Sequence, residues 1–494
     1  MCILYNLVGI LLLMINRNVR CEVYTSVAVL EDVINTETKI ISSIEEYIRL
    51  ESEKLDHLNR YMKRYQEQNN LALRNIEDYL ENPLNIYLLI KRLTVELQAV
   101  EDLIGLNNVE KVSSNLDLYK NRTDFPTVQD FNGTIRSLAV MQDVYRLNTS
   151  AFASGQLGKF KYDTELSSWD CIQFGNHYYE KEYYNYSHSW FEEGKNRFSR
   201  KFNEFGETNA HLNYVQARIK EMDEIFRKNN SLVNHEDRET ELFGEHCRKD
   251  MTPPIEILSK LKCKYVTNNK PYLLIAPFKV EEISMKPRIL RFYNVMSDSE
   301  IEKLKELAYS RFETAKISRK GIDLALDSSR LAKVAWISKT THECVAKISE
   351  RISDMTGLTT RTSEPLQTSN YGVGGYFKSH WDFAHPKFFN ISTLARRNNG
   401  NRIATLLFYM NEVSQGGHTV FPLAGVIAKP IKGSAVVWYN LYPSGDADND
   451  TRHAACPVLT GTKWVSNKWL YEYGQEFLRP CELDPHATGY DFFK

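Results

Sequence analysis

A series of short apolar runs in the C-terminal half of the chain most limits the folds open to it. The runs are RILRFYNV, LQTSNYGVGGYF, ATLLFYMNEV, HTVFPLAG and SAVVWYNL, each bounded by Gly, Pro or Asn, with one helical segment at 299–312 among them. Short runs rich in β-branched and aromatic side chains, separated by turn residues, are typical of antiparallel strands. This half is therefore predicted to form a β barrel or sandwich.

The N-terminal part shows the periodicity of a long helix. Its apolar side chains alternate three and four positions apart, with Glu37 and Glu51 on two rungs, along the series Leu30, Ile34, Ile41, Ile44, Ile48, Leu55, Leu58 and Met62. Such a heptad seam predicts a helix that packs lengthwise against another helix. Two interpretations stay open, a coiled-coil dimerisation region and an amphipathic helix packed within one subunit. Further helical patterns lie at 87–106 and 131–147.

The middle of the chain is rich in tyrosine. The stretch WDCIQFGNHYYEKEYYNYSHSWFEEGKNRF has Gly and aromatic residues at the spacing of an antiparallel helix pair of the tetratricopeptide kind. Rigid aromatic faces on a concave helical surface suit an extended proline-rich ligand. The candidate contacts are Tyr179, Tyr183, Tyr184 and Trp190. The alternative is that these rings fill the space between helices.

Length and charge narrow the class of protein. A chain of 494 residues suffices for about three domains of ordinary size. The formal net charge of -1 gives no basic excess of the kind that binds nucleic acid or an anionic membrane. We therefore expect neither as a partner.

The N-terminus resembles a secretory signal peptide. Its apolar run at 3–15 is too short to span a bilayer, and a buried N-terminal helix is the alternative. Eight cysteines fit an oxidising compartment, and N-x-S/T sequons occur at Asn121, Asn132, Asn148, Asn185, Asn229, Asn390 and Asn449. We predict a glycoprotein of the endoplasmic reticulum lumen that is not inserted in the membrane after signal cleavage.

The stretch HWDFAH holds the first candidate metal ligands. Side chains alternate faces along a strand, so His380 and Asp382 are expected to point the same way and Trp381 the other. His453 can supply a third ligand from another strand. Two imidazoles and one carboxylate on one face of an ion are the ligand set of non-haem Fe(II) oxygenases, which keeps positions open for a cosubstrate and O2. The alternative is an ordinary pair of strands in which these polar side chains are hydrogen-bonded within the protein. His385 is a competing candidate for a metal ligand.

Lys463 points to the cosubstrate. The stretch VLTGTKW predicts strand, tight turn and strand, so that Lys463 folds back beside the strand carrying His453. An inward lysine in an apolar barrel is costly unless an anion pairs with it. A dicarboxylate whose keto-acid end chelates iron places its other carboxylate there, and this favours 2-oxoglutarate. Cys456 lies three residues after His453, but a soft thiolate suits zinc or copper better, so we expect a disulfide there.

Longer stretches carry a family resemblance. YGVGGYFKSHWDF, GNRIATLLFYMNEVSQGGHTVFP, WYNL, and DTRHAACPVL running into GTKWVSNKWL resemble the catalytic domain of the collagen prolyl 4-hydroxylase α subunit over about residues 285–482. The heptads at 25–62 and NPLNIYLLIKRL resemble that family's dimerisation region more weakly. The resemblance implies a multidomain protein, α then β, with a double-stranded β-helix (jelly-roll) barrel behind its helical domains. The expected parts are a signal peptide at 1–21, a helical dimerisation domain at 22–150, a tetratricopeptide-like peptide-binding domain at 151–245, a linker at 246–284 and the catalytic domain at 285–494.

The resemblance also implies roles for individual residues. His380, Asp382 and His453 would bind Fe(II), and Lys463 would bind the distal carboxylate of 2-oxoglutarate. The cosubstrate pocket would be lined by Tyr371, Thr405 and Tyr409. Tyr471 stands where the family usually has a histidine near the C1 carboxylate, and a phenol can donate a hydrogen bond but carries no positive charge at neutral pH. The implied disulfides are Cys247–Cys263 and Cys456–Cys481.

The activity implied is 4-hydroxylation of proline in X-Pro-Gly segments of collagen-like chains, coupled to oxidative decarboxylation of 2-oxoglutarate to succinate and CO2. Its cofactors would be Fe(II) and ascorbate, with O2 as cosubstrate, and its partner would be protein disulfide isomerase as the β subunit of an α2β2 tetramer. The middle region looks shorter than the family's peptide-binding domain. Two alternatives therefore stay open, a prolyl hydroxylase of a different secreted substrate and a non-catalytic collagen-binding subunit.

Overall fold

The computed structural model describes residues 25–76, 89, 92–106, 109–121, 126–198, 209–228, 238–248, 254–315, 317–319, 322–324, 329–372, 374–385 and 399–484. The predicted signal peptide and the sequons at Asn229 and Asn390 lie outside these residues. Within them, no helix combines the length and the apolar character that a membrane crossing requires. The chain divides into two compact units, one of residues 1–20 and 30–125 and one of residues 21–29 and 126–494.

The first unit is helical. Its elements are α1 (Val27–Arg74, whose first turn belongs to the second unit), a π-helical turn (Arg92–Glu96), α2 (Leu97–Gly105) and α3 (Val109–Lys120). With 48 residues, α1 is about 70 Å long. Lys54 donates to the carbonyls of Ile104 and Leu106, and Tyr65 donates to that of Arg92, which fastens α1 to the segment around α2. The predicted long helix is confirmed.

Much of the heptad seam of α1 is exposed. Six of its apolar side chains are between 43% and 62% exposed, namely Ile34, Ile41, Ile44, Ile48, Leu55 and Met62. An apolar row of this length on one helix face is the seam that a second helix covers in a coiled coil. The pairing itself stays a prediction.

The second unit begins with helices. They are α4 (Val128–Tyr145), α5 (Thr149–Ala153), α6 (Ser168–Glu180), α7 (Tyr184–Phe198), α8 (Asn209–Lys228), α9 (Arg238–Arg248) and α10 (Ile255–Leu258), with a hairpin of β1 (Gln156–Leu157) and β2 (Phe160–Lys161) after α5. Two of these helices begin with a capping box, formed by Thr127 and Asp130 at α4 and by Ser167 and Asp170 at α6.

Helices α6 and α7 form an antiparallel pair. Ser168 donates to the carbonyl of Gly194, and Ser187 donates to that of Gly175, so the ends of one helix meet the opposite ends of the other. The tetratricopeptide-like array of the middle region stays a prediction, because one helix pair does not establish a repeat.

Trp190 is a core residue, which contradicts its predicted contact with a peptide. Its side chain is 0% exposed and stacks on Phe174 at 4.6 Å between ring centroids. Its indole N–H donates to Gln142 Oε1, and the Tyr178 hydroxyl donates to the same oxygen. The aromatic spacing therefore produced a packed helix interface at this position, as the alternative interpretation expected.

The C-terminal part of this unit is rich in antiparallel strands. They are β3 (Cys263–Val266), β4 (Phe278–Met285), β5 (Arg288–Tyr293), β6 (Glu313–Thr314), β7 (Ile317–Arg319), β8 (Ile322–Leu324), β9 (Lys333–Ile337), β10 (Leu366–Tyr371), β11 (Phe377–His380), β12 (Arg402–Tyr409), β13 (Gln415–Gly416), β14 (Thr419–Phe421), β15 (Val426–Ala428), β16 (Ala435–Tyr439), β17 (His453–Ala455), β18 (Val458–Thr460) and β19 (Lys463–Tyr471). Helices α11 (Asp298–Tyr309) and α12 (Glu343–Thr356) and the 3-10 turns Pro271–Leu274 and Asn449–Thr451 interrupt them.

Two sheets make the frame of the site. The larger has nine strands in the order β3-β4-β5-β16-β12-β19-β10-β9-β6, and the smaller has four in the order β11-β17-β14-β15. Shorter pairs join β13 to β18 and β7 to β8. The predicted β-rich C-terminal domain is confirmed, and the strands of both sheets pair antiparallel.

The two faces of β12 show how the layers pack. Leu406 and Phe408 belong to the apolar cluster that includes buried side chains of α11 and α12, whereas Leu407 and Tyr409 belong to the cluster that includes Phe421 of the smaller sheet. Alternate side chains of a strand point to opposite faces. The larger sheet is therefore covered by helices on one face and by the smaller sheet on the other.

Two sequence-based expectations about strands are wrong. Strands β18 and β19 do not form a hairpin, since β18 pairs with β13, and β19 lies between β10 and β12 in the larger sheet. The segment expected to be a linker contains β3 and β4, which extend the larger sheet from β5. Both errors have one cause, because neighbours in a sheet are chosen by packing across the whole domain.

The cysteine pairing also differs from the one implied. Cys247, at the end of α9, forms a disulfide with Cys456, and their Cα atoms lie 5.6 Å apart. Both belong to one buried cluster with Val420 and Ala454, since α9 packs on β14. In this structure the implied pairs Cys247–Cys263 and Cys456–Cys481 are therefore wrong. Cys263, on an edge strand, and Cys481, beyond β19, are exposed thiols.

The α6–α7 pair gives a test with a matched control. A Cβ at Gly175 would lie 2.9 Å from a ring carbon of Phe191, whereas a Cβ at Gly194 would meet its nearest neighbours at 3.4 Å. We expect Gly175→Ala to destabilise the protein by about 1–3 kcal/mol through overpacking. Gly194→Ala is expected to be neutral or stabilising by up to about 1 kcal/mol through helix propensity. Thermal unfolding of both variants checks this, and equal melting temperatures would contradict it.

Candidate metal centre

Two histidines face each other across neighbouring strands. Strands β11 and β17 pair antiparallel with His380 opposite His453, and the centroids of the two imidazoles lie 4.4 Å apart. The Nδ1 atom of His380 lies 2.8 Å from the carbonyl oxygen of Lys378, and that of His453 lies 3.0 Å from the carbonyl oxygen of Thr451. These contacts make Nδ1 the protonated nitrogen, which leaves Nε2 of each ring with its lone pair for a ligand.

Asp382 completes a three-residue cluster. Strand β11 ends at His380, and the chain bends so that the buried carboxylate of Asp382 approaches both imidazoles. Its Oδ1 lies 3.7 Å from His380 Nε2, and its Oδ2 lies 3.6 Å from His453 Nε2. One ligand atom from each residue lies within 4.8 Å of the other two. Two neutral nitrogens and one carboxylate around a common point fit a divalent iron ion.

The protonation states suit metal binding. Burial, and after it the neighbouring His453, lower the pKa of His380 to about 3. Burial acts to raise the pKa of Asp382, but His453, His380 and Arg402 outweigh it and hold that pKa at about 2. Near neutral pH the imidazole is neutral and the carboxylate ionised, which are the forms that bind a metal ion.

Lys463 faces the cluster from the opposite sheet. It opens β19, pairs in register with Tyr371 of β10, and is 2% exposed. Its Nζ lies 5.6 Å from the ring centroid of Tyr371 and 5.8 Å from that of Tyr409. Burial lowers the pKa of Lys463 to about 7. Among the described residues no carboxylate forms an ion pair with Lys463, so its ammonium form can pair with an external anion.

One cavity joins these groups. The cavity is open to solvent, and its space amounts to about 430 Å³ when that opening is included. Its walls are formed by Arg330, Tyr371, Phe377, His380, Asp382, Leu407, Thr419, Trp438, His453, Ala454, Ala455, Lys463, Val465, Asn467 and Trp469. The structure thus brings together the three candidate iron ligands, Lys463 and Tyr371 around one cavity, as predicted from the sequence. Lys463 belongs to the larger sheet, whereas His380 and His453 belong to the smaller.

The other residues assigned to the cosubstrate pocket do not line this cavity. The Thr405 hydroxyl donates to Asp382 Oδ2 at 2.8 Å, and the Tyr409 hydroxyl donates to Thr419 Oγ1 at 2.8 Å. The Tyr471 hydroxyl donates to Glu364 Oε1 at 2.5 Å. Each of the three is therefore engaged with a protein group, and their contact with 2-oxoglutarate stays a prediction.

Glu364 ties Tyr471 to the neighbourhood of Asp382. Arg402 donates from Nε and Nη2 to the two carboxylate oxygens of Glu364, at 2.7 and 2.9 Å, and from Nη1 to the backbone carbonyl of Asp382 at 3.3 Å. The guanidinium lies 4.2 Å from the ring centroid of Trp469. This network supports the bend that follows β11. No sequence pattern indicated Glu364, which lies 107 positions before Tyr471 in the chain.

Sequence reasoning also missed three cavity residues on β19. Val465, Asn467 and Trp469 follow Lys463 at every second position, and all line the cavity. The alternation of strand side chains was the available signal, since an inward Lys463 puts these three on the same face. His385 is placed outside the cluster, with its ring 4.9 Å from that of Trp381.

The tyrosines proposed for peptide contact lie on α6, on α7 and between them. Tyr179, Tyr183 and Tyr184 are each partly exposed. The Tyr179 hydroxyl donates to Glu221 at 2.6 Å, and the Arg218 guanidinium lies 4.4 Å from the centroid of its ring. All three residues are partly exposed, whereas Trp190 is buried.

An antiparallel two-sheet domain with a His-x-Asp pair, a distant histidine and an inward lysine around one open cavity defines a class, the Fe(II)- and 2-oxoglutarate-dependent oxygenases. Residues 366–471 match the 2OG-Fe(II) oxygenase superfamily, and residues 26–159 match the Prolyl 4-Hydroxylase alpha-subunit, N-terminal region. Fe(II), 2-oxoglutarate and O2 are the co-reactants this superfamily implies. The chain belongs to the prolyl 4-hydroxylase α-subunit family.

Relatives cover nearly the whole chain. It is 34% identical to prolyl 4-hydroxylase subunit alpha-1 of Homo sapiens, over 93% of this chain and 95% of that protein. It is also 34% identical to prolyl 4-hydroxylase subunit alpha-2 of Caenorhabditis elegans, over 94% of each. Among solved structures, the viral collagen prolyl hydroxylase of Paramecium Bursaria Chlorella virus-1 in complex with 2OG is similar at 24% identity, with a TM-score of 0.30, over 37% of this chain and 94% of that one.

The different placement of two tyrosines gives a prediction. Tyr371→Phe removes a hydroxyl from the wall beside Lys463, and we expect it to raise the KM for 2-oxoglutarate severalfold. Tyr471→Phe removes a hydrogen bond to Glu364 outside the cavity, so it should cost about 1 kcal/mol of stability and leave that KM within about twofold. Succinate formation at varied 2-oxoglutarate and thermal unfolding measure the two effects. A large KM increase in Tyr471→Phe alone would place Tyr471 at the cosubstrate.

Proposed function

We propose that this protein catalyses 4-hydroxylation of proline in X-Pro-Gly segments of collagen-like chains, with 2-oxoglutarate converted to succinate and CO2. The observation that carries the proposal is the cavity between the two sheets, in which His380, Asp382 and His453 face the buried Lys463. Whole-chain similarity to proteins named prolyl 4-hydroxylase α subunits supports the choice of proline as the target.

The residues have separate tasks. His380, Asp382 and His453 would hold the ferrous ion, which supplies the activation of O2 and the oxidative decarboxylation of 2-oxoglutarate. Lys463 binds the distal carboxylate of the cosubstrate and thereby directs its keto-acid end toward the metal ligands. The aromatic side chains of the cavity wall, among them Tyr371, Trp438 and Trp469, limit the access of water to the bound groups.

We extend the proposal to the rest of the chain by family similarity. The exposed seam of α1 supports dimerisation, and the partial exposure of Tyr179, Tyr183 and Tyr184 supports a surface for a proline-rich peptide. We further propose protein disulfide isomerase as the β subunit in an α2β2 tetramer, ascorbate as the reductant, and the lumen of the endoplasmic reticulum as the location. The limits 22–150, 151–245 and 285–494 are proposed for the three domains. Residues 246–284, which were expected to be a linker, contain β3 and β4 of the larger sheet, and α4 belongs to the unit of residues 21–29 and 126–494.

The substrate is tested by comparing peptides. With Fe(II), 2-oxoglutarate and ascorbate present, (Pro-Pro-Gly) repeats should stimulate succinate release and yield 4-hydroxyproline, whereas unrelated proline peptides should not. Equal stimulation by unrelated peptides would favour a different secreted substrate. Absence of succinate with every peptide would favour a non-catalytic collagen-binding subunit.

The metal ligands are tested with a histidine control. We expect His453→Ala to lower turnover by at least about a thousandfold, because the ion loses one of three ligands. His385→Ala, in the same region but outside the cluster, should retain most turnover. Peptide-dependent succinate release measures both, and equal losses would remove His453 from the site.

The pKa of Lys463 gives a pH dependence. Burial lowers that pKa to about 7, so above pH 7 the amine is increasingly neutral before the cosubstrate binds. Pairing with a carboxylate requires the ammonium form, so binding takes up a proton. Affinity for 2-oxoglutarate should fall as pH rises above 7, by up to about tenfold per unit.

Calorimetry of 2-oxoglutarate binding to the Mn(II)-loaded protein at pH 8 checks this in two buffers of different ionisation enthalpy. The wild type should take up close to one proton. Lys463→Met should bind more weakly without that uptake. No proton uptake by the wild type would contradict the assignment.

A further inference from the structure

Three buried side chains lead in a line to the carboxylate of Asp382. The Trp438 indole N–H donates to Asn440 Oδ1 at 2.9 Å, and Asn440 Nδ2 donates to Thr405 Oγ1 at 2.9 Å. The Thr405 hydroxyl then donates to Asp382 Oδ2 at 2.8 Å. Trp438, Asn440 and Thr405 are at most 1% exposed, so solvent does not compete for these bonds.

The direction of the three bonds is fixed at the tryptophan end. An indole N–H can only donate, so the Asn440 side chain must turn its oxygen toward Trp438 and its NH2 group toward Thr405. A hydroxyl has a single proton, and with Asn440 donating to its oxygen, Thr405 directs that proton to Asp382. The chain of bonds therefore has one polarity, and it ends on an acceptor.

The backbone holds the donors in place. Thr405 of β12 pairs in register with Trp438 of β16, and the Asn440 N–H donates to the carbonyl of Ile403. Asp382, by contrast, lies on the bend after β11, outside any strand. A carboxylate on a bend can rotate about its last side-chain bond, and a fixed donor on one oxygen removes that freedom.

We propose that Trp438, Asn440 and Thr405 form a positioning relay that fixes the orientation of the Asp382 carboxylate toward the metal ion. Thr405 then acts on metal binding through Asp382, and not as a contact of 2-oxoglutarate. The inference rests on the metal site of the proposed function, but not on the identity of the substrate.

Metal affinity separates this role from cosubstrate binding. The experiment uses the full chain with its partner subunit, stripped of metal, and Mn(II) as the probe, with free ion measured by electron paramagnetic resonance. Thr405→Val removes the donated proton at nearly constant volume, and we expect Mn(II) to bind about 10- to 100-fold more weakly. At saturating metal, the KM for 2-oxoglutarate should stay within about twofold. Thr405→Ser keeps the hydroxyl and should restore most of the affinity.

Asn440→Asp is the second variant, nearly identical in shape. A carboxylate at position 440 offers an acceptor to the Thr405 hydroxyl, so its proton is drawn away from Asp382 and Mn(II) affinity should fall as in Thr405→Val. Should Thr405→Val fail to fold, as thermal unfolding would show, Asn440→Asp carries the test.

Wild-type Mn(II) affinity in either folded variant, or a raised KM for 2-oxoglutarate with unchanged Mn(II) affinity in Thr405→Val, overturns the relay. Failure of the proposed function looks different. Mn(II) binding that His453→Ala does not weaken would refute the metal site, whereas intact Mn(II) binding without proline hydroxylation would refute the substrate and leave the relay standing.

Discussion

The register between β11 and β17 is the constraint on which the site depends. It sets His380 directly opposite His453 and leaves the bend after β11 to bring Asp382 to the same side. Since side chains alternate along a strand, a slip of one residue would turn one imidazole to the other face and dissolve the cluster. The disulfide between Cys247 and Cys456 joins α9 to the residue that directly follows β17. The strand that carries His453 is thus fixed by its neighbours in the sheet and by a covalent link.

Several charged groups are buried around His380 and His453. The burial of each one costs several kcal/mol unless a neighbouring group compensates its charge. Asp382 is compensated by the hydrogen bond from the Thr405 hydroxyl and by the nearby positive charge of Arg402. Arg402 is compensated by a bidentate ion pair with Glu364. Lys463 lacks such compensation. Burial lowers its pKa, and among the described residues no carboxylate forms an ion pair with it. A group kept at such a cost is best explained by a ligand that brings the missing charge.

The helical part of the second unit shows how one sequence pattern serves two purposes. Tyr178 and Trp190 both donate to Gln142 of α4, so these rings fasten the α6–α7 pair to its neighbour. Tyr179 and Tyr184 pack at the other side, against α8, and remain partly exposed. Buried and partly exposed rings therefore lie within a few residues of one another.

Local patterns of residues were enough to predict the chemistry of the site and the types of secondary structure. A His-x-Asp pair, a distant His and an inward Lys together restrict a site to few metals and ligands. Periodicity distinguishes the long helix α1 from the strands, because the period of each element is a local property of the chain. Which side chains and strands come into contact follows only from the folded domain. The hydrogen bond from Thr405 to Asp382 spans 23 positions and that from Tyr471 to Glu364 spans 107, so no local pattern reports either. The same holds for the place of β19 in the larger sheet and for the partner of Cys456, because both follow from packing that is complete only when all the layers have formed.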